Sequence, residues 1–166
     1  CAYALIALDR NANTSVLTRH DPTGTTGCIA GLFPGSACAA RSLQLPAQIA
    51  MSPDGRRIYL ANKPVCCPGY SAVMLVNRNP ANGNLTPVAD WCIEAPDAQT
   101  ECSSVAKSLI DVYGIAYGPS GDLYTAGKAG QRIGIFDING SNGRVTPKPG
   151  VFGCLAAASQ TDGCGK

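Results

Sequence analysis

Apolar residues in this chain fall in short runs bounded by turn-forming residues, and the segments that recur carry no helical spacing. Three stretches align with one another. Residues 4–10 (ALIALDR) lead to 16–18 (VLT), 72–78 (AVMLVNR) to 84–86 (NLT), and 132–138 (RIGIFDI) to 144–146 (RVT). The second and third enclose the tips NPANG (79–83) and NGSNG (139–143). Asn-Gly supplies the positive φ that a tight hairpin needs, so each stretch reads as strand, turn, strand. A second unit precedes two of them: 49–55 (IAMSPDG) runs into 57–61 (RIYLA), and 115–121 (IAYGPSG) into 122–126 (DLYTA). Proline presets φ at the first central turn position and glycine closes the turn, giving another pair of strands.

One repeat is therefore four strands in a fixed order, the unit of a β-propeller blade. The expected fold is all-β: a single β-propeller segment over 1–166, built of four-stranded antiparallel blades with disulfide-stapled loops. It divides into 3–45 (half a blade plus loop), 46–111 and 112–166 (a blade plus loop each). A sandwich also has short strands, but would not repeat the same four in order. About two and a half blades do not close a ring of ~4–8. The expected partner is the remainder of its own propeller chain, or neighbouring copies that complete a ring or filament. Simple pairing of two copies fails, because both would lack the same strands; head-to-tail association does not have that defect.

The nine cysteines reinforce the repeat. Cys28 and Cys38, Cys92 and Cys102, and Cys154 and Cys164 are each separated by ten positions, and the pairs recur 64 and 62 positions apart (Cys28 to Cys92 to Cys154). A spacing kept while its contents vary reads as covalent loop closure, here three local disulfides. Zinc is the rival, but zinc knuckles want C-x2-C pairs, and the single histidine, His20, lies outside the repeat. Disulfides imply an oxidising compartment: secreted, extracellular or cell-surface, with the periplasm as an alternative. Cys1, Cys66 and Cys67 remain. One of the adjacent pair bridges to Cys1, or the two form a vicinal disulfide; an odd total leaves one thiol free or joined to another molecule.

Composition narrows the function classes. The 166 residues suit one domain with a real core. No run approaches the ~20 apolar residues of a membrane helix. Lys+Arg 13 against Asp+Glu 11 is no polyanion-binding balance, so nucleic acid is not an expected partner. Gly 19 and Pro 12 mark a turn-rich chain, while 45% hydrophobic residues argue against disorder.

Residues 52–61 (SPDGRRIYLA) and 76–86 (VNRNPANGNLT) resemble blades of the lactonase-type seven-bladed propellers, the group of 6-phosphogluconolactonase and carboxymuconate cyclase. With a Gly-Cys-Ile and second cysteine added, the chain is most similar to secreted bacterial propeller-repeat proteins likened to that group. The resemblance spans nearly the whole chain and is specific for fold, since such hairpins occur in propellers of unrelated function. It implies His, Glu and Arg side chains around a central channel. The comparable positions here hold Pro46, Ala47 and Gln48, and Asp111, Val112 and Tyr113, with no histidine. No catalytic residue, metal or cofactor is carried over.

Arg41, Gln48, Lys107, Asp111 and Tyr113 are candidates for a polar channel mouth that holds an anionic ligand, against the plainer reading of solvated loop residues. His20, in a hairpin-to-loop stretch, is expected at the solvated surface. Asp137-x-Asn139-x-Ser141 has the look of a calcium loop but its glycine is one position late, and a hairpin turn explains it. Sequons start at Asn13, Asn84 and Asn139, at or beside the hairpin tips, and are candidate glycosylation sites in a eukaryotic secreted protein. The expected function is a structural or binding module, or a unit of an extracellular assembly. The alternatives are part of a lactonase-like hydrolase or isomerase whose catalytic residues lie in other blades, and a carbohydrate or small-anion binder using Tyr113 and Arg41.

Overall fold

The computed structural model describes residues 4–22, 24–30, 43, 45–63, 71–96, 102–157 and 163–165. Among them the chain is all-β, with two single-turn 3-10 segments. The N-terminal part forms two small ladders: β1 (Ala4–Ile6) with β4 (Cys28–Ala30), and β2 (Leu8–Arg10) with β3 (Leu17–Arg19). A five-stranded sheet follows in sequence order: β5 (Leu45–Met51), β6 (Arg57–Lys63), β7 (Ala72–Arg78), β8 (Leu85–Glu94) and β9 (Ser104–Val105). Its ladders are antiparallel except for the short parallel β8–β9 pair. The last sheet runs β10 (Val112–Tyr117), β11 (Asp122–Gly127), β12 (Arg132–Ile138) and β13 (Val145–Pro147), with β14 (Cys154–Ala156) also on β12.

Both kinds of predicted hairpin form, for the predicted reason. Gly55 (φ +65°) and Gly121 (φ +87°) close the proline turns; Gly83 (φ +77°) and Gly143 (φ +75°) close the asparagine turns. Asn11, Asn79 and Asn139 start the three equivalent tips, and each side chain accepts a backbone N–H two residues on. That bond fixes the turn without help from the strands. The first copy differs, placing Ser15 rather than glycine in the left-handed position (φ +58°).

The repeat is also a repeat of register. Ile6 faces Cys28, Met74 faces Cys92 and Gly134 faces Cys154 across equivalent ladders. Disulfides join Cys92 to Cys102 and Cys154 to Cys164, with Cα atoms 4.7 and 4.9 Å apart. Cys28 is disulfide-bonded. Cys38, Cys1, Cys66 and Cys67 lie outside the described residues. Two disulfides in a small domain point to an oxidising, non-cytoplasmic compartment. Among the described residues no helix is long and apolar enough to cross a membrane.

Strands β6 and β7 of the middle sheet are covered on both faces, which is why they carry near-continuous apolar runs. Tyr59, Val73, Leu75 and Ile93 pack toward Leu109, Val112, Ile115, Leu123 and Phe136 of the last sheet. Ile58, Leu60, Met74 and Val76 pack the other way, with Ile29, Leu43, Leu5 and Ala7. Burial pushes the Tyr59 hydroxyl up to about 12, and it donates to the Gly143 carbonyl at 2.9 Å.

Candidate ligand site at the paired edge strands

β5 and β10 are the first strands of their sheets, and β10 lies against β5 and β6. An edge strand has N–H groups that need partners. Here side chains of the neighbouring sheet supply them: Ile115 N–H donates to Gln48 Oε1 at 3.0 Å, and Val112 N–H to Ser71 Oγ at 3.1 Å.

Each edge strand carries a bulge at the same place. Pro46 pairs with Asn62 and Gln48 with Ala61, leaving Ala47 as the extra residue. Val112 pairs with Gly127 and Gly114 with Ala126, leaving Tyr113. A bulge turns its extra residue away from the ladder alternation and re-aims the side chain. Tyr113 is accordingly exposed although Val112 beside it is fully buried. The Lys63 ammonium sits 3.2 Å from the centre of the Tyr113 ring, and Lys128 Nζ lies 5.8 Å from it. Lys63 ends β6 and Lys128 follows β11, so each closes the second strand of its sheet. Tyr113 is thus flanked by one lysine from each of two sheets, an arrangement held by ring–cation attraction.

Of the five channel-mouth candidates, the structure brings Gln48 and Tyr113 together at the edge strands. Asp111 enters β10 with left-handed backbone (φ +53°), and its carbonyl accepts from Lys128 N–H at 3.0 Å, a backbone role that sets the lysine's place. Lys107 lies in a 3-10 turn whose carbonyl accepts from Arg132 at 3.4 Å. Arg41 lies outside the described residues. The two lysines were missed, although IYLANK (58–63) and LYTAGK (123–128) extend the aligned strands to them.

His20 departs from the surface role expected of it. Its Nδ1 lies 2.9 Å from the Asp9 carboxylate and its Nε2 2.8 Å from Asn84 Oδ1, clamping the N-terminal hairpin to a turn of the middle sheet. The bond to Asn84, then that to Asp9, raises the histidine's pKa. Of the sequon asparagines, Asn13 and Asn139 are exposed and Asn84 is half-buried. In the calcium-like loop, the Asp137 carboxylate pairs with Lys148, whose ammonium also lies 3.0 Å from Asp122.

No family model matches the chain. No curated protein matches it either. Among solved structures it is similar to a "putative 6-phosphogluconolactonase" from Bacteroides fragilis, at 18% identity and TM-score 0.55, over 87% of this chain and 31% of that one. A second, of the same description, from Bacteroides uniformis, shares 15% identity at TM-score 0.46, over 87% of this chain and 47% of that one. The chain thus spans less than half the length of either protein, and the likeness to the first is one of fold.

Proposed function

We propose that the chain is a run of disulfide-stapled β-propeller blades, divided at residues 3–45, 46–111 and 112–166, that works outside the cell as a binding module. Its ligand is a small anion with a sugar or ring face, taken at Tyr113 between Lys63 and Lys128. The observation that carries this reading is the placing of two repeat-equivalent lysines around one bulged, exposed tyrosine. The ring offers the surface that Lys63 leaves uncovered, and the two ammonium groups beside it supply positive charge for a carboxylate or phosphate.

The test is calorimetric titration with glucuronate and 6-phosphogluconate. Tyr113→Ala should weaken binding by about tenfold or more, and Lys63→Met with Lys128→Met should abolish the preference for the anionic over the neutral sugar. Binding unchanged in these variants rejects the site.

Support for further blades comes from one repeated pair. Leu5 faces Ile29, Val73 faces Ile93 and Ile133 faces Leu155 across equivalent ladders. The first pair packs toward the middle sheet and the second toward the last sheet. The third is exposed, on a shallow apolar groove of about 390 Å³. Another blade of the same kind, from this chain or a neighbouring copy, covers it in the proposed assembly.

The lactonase reading has the fold likeness to the Bacteroides fragilis protein in its favour. Lactone opening needs a general base. The single histidine is engaged with Asp9 and Asn84, beside the turn end of β7, whereas Lys63 ends β6 at the other end of that ladder, six residues or about 20 Å away. In that reading the catalytic groups come from other blades. Hydrolysis of 6-phosphogluconolactone by the protein, surviving Tyr113→Ala and His20→Asn, would favour it.

A further inference from the structure

A second charged cleft lies at the other end of β6. Arg56, Arg57 and Arg78, with Asn77, Asn79 and Pro80, line an open cavity of about 410 Å³ with no carboxylate among the described residues that line it. The backbone sets two of these cations against each other, and the Arg57 side chain reaches the rim of the cleft from the neighbouring position. Arg57 and Asn77 are direct partners in the β6–β7 ladder, and Arg78 N–H donates to the Arg56 carbonyl at 2.7 Å, setting Arg56 and Arg78 opposite each other. Like charges opposite one another destabilise a ladder.

Asp54 relieves this only in part: its carboxyl is held low first by the Ser52 hydroxyl and the Arg56 N–H, and after them by the charges of Arg57 and Arg56. Among the described residues none of the three arginines forms an ion pair with a carboxylate. Arg57 instead donates to the Gly140 carbonyl at 2.8 Å and Arg78 to the Gly55 carbonyl at 3.2 Å. Those bonds hold two guanidinium groups in place while using only part of their donors. Arg56 is exposed and its side chain makes no hydrogen bond among the described residues. The nearest acid of the same turn, Asp54, spends its Oδ1 on the Ser52 hydroxyl (2.5 Å) and the Arg56 N–H (3.1 Å). Asn79 uses its Oδ1 on Ala81 N–H, which leaves its amide hydrogens for a ligand.

We propose that this cleft binds a tetrahedral oxyanion, the phosphate or sulfate group of a free ion or a monoester, by guanidinium hydrogen bonds from Arg56, Arg57 and Arg78. Fork-shaped donors held at fixed positions match such an anion, and its charge offsets the repulsion that the ladder imposes. The site goes beyond the proposed function and is separable from it, because Lys63 ends the same strand that Arg57 begins.

The experiment is NMR titration of the protein with inorganic phosphate, inorganic sulfate and glycerol phosphate, each against sodium chloride at matched ionic strength, reading the arginine Nε–Hε signals. Saturable shifts at Arg56 and Arg78 are expected with the oxyanions and not with chloride. Arg56→Gln with Arg78→Gln should lower affinity by about tenfold or more in a protein whose amide spectrum shows it still folded, while Tyr113→Ala leaves it intact. Tighter binding of glycerol phosphate assigns the cleft to esters, and tighter binding of the inorganic ions to free anions. Shifts that track ionic strength alone, or saturable shifts at Arg57 that keep the parent affinity in the double variant, overturn the site. Arg56→Gln alone, at an exposed residue without side-chain bonds, keeps the test decisive should the double variant fail to fold.

Discussion

His20 shows what a single side chain adds. Both ring nitrogens face oxygen acceptors, the Asp9 carboxylate and Asn84 Oδ1, so only the imidazolium donates to both. The bond to Asn84 and then that to Asp9 raise its pKa above the ordinary 6.5. A group whose folded pKa is raised contributes stability that is fully present below the unfolded value and lost as pH rises through the folded one. The denaturant midpoint should therefore fall across that window above pH 6.5, and His20→Asn should flatten the fall. A midpoint independent of pH there would contradict the clamp. The sequence offered a lone histidine near a hairpin and no hint of Asn84, 64 residues away. Tyr113 was legible as a candidate only through the resemblance. What makes it available is a bulge, which depends on cross-strand register and leaves no mark in composition. The lysines that flank it were within reach of the repeat alignment, two residues past its edge.

At the level of elements, the hairpins and cysteine loops were readable because turn chemistry is local. Asparagine at the tip and glycine at the left-handed position each act within a few residues. The loops closed by Cys92–Cys102 and Cys154–Cys164 each tie a strand residue to the segment that follows it. Replacing Cys92 and Cys102 with serine should cost about 2–3 kcal/mol on the chain-entropy model, measured by denaturant unfolding. Gly134 makes a sharper case, since its repeat equivalents are Ile6 and Met74. A Cβ there would meet Ser108 Oγ at 2.5 Å, Thr125 Oγ1 at 2.6 Å and Phe136 Cε2 at 2.8 Å. Two of those neighbours belong to the same sheet, and Phe136 is fully buried. Gly134→Ala should destabilise by about 1–3 kcal/mol, and restoring the repeat residue with Gly134→Met should cost more. Equal stability of the two variants and the parent would mean that the sheet relaxes freely at this point.

For the molecule as a whole, the middle sheet fixes the order of layers, and the outer sheets carry the consequence. Its two central strands have no solvent face, so periodicity alone could not say which residue points which way; only the equivalence of repeats resolves it. On the proposed reading the Ile133–Leu155 pair needs a covering layer, as Leu5–Ile29 and Val73–Ile93 have one. Phe152, 72% exposed, and Val151 stand just before β14, and Ile6 and Leu8 are exposed at the N-terminal sheet. These side chains form no stable surface for a monomer if they are contiguous in water. Hydroxyl-radical footprinting of the protein as it occurs in its native setting should find Phe152 and Leu155 protected. Leu155→Lys should expose Phe152 and leave the proposed Lys63–Tyr113–Lys128 site able to bind. If sedimentation then shows smaller particles than the parent forms, the cover is a neighbouring copy; if mass is unchanged, it is chain of the same molecule. Rapid labelling of both residues in the parent protein would remove the case for another blade, and the proposed ligand site would have to work at the edge of an open stack.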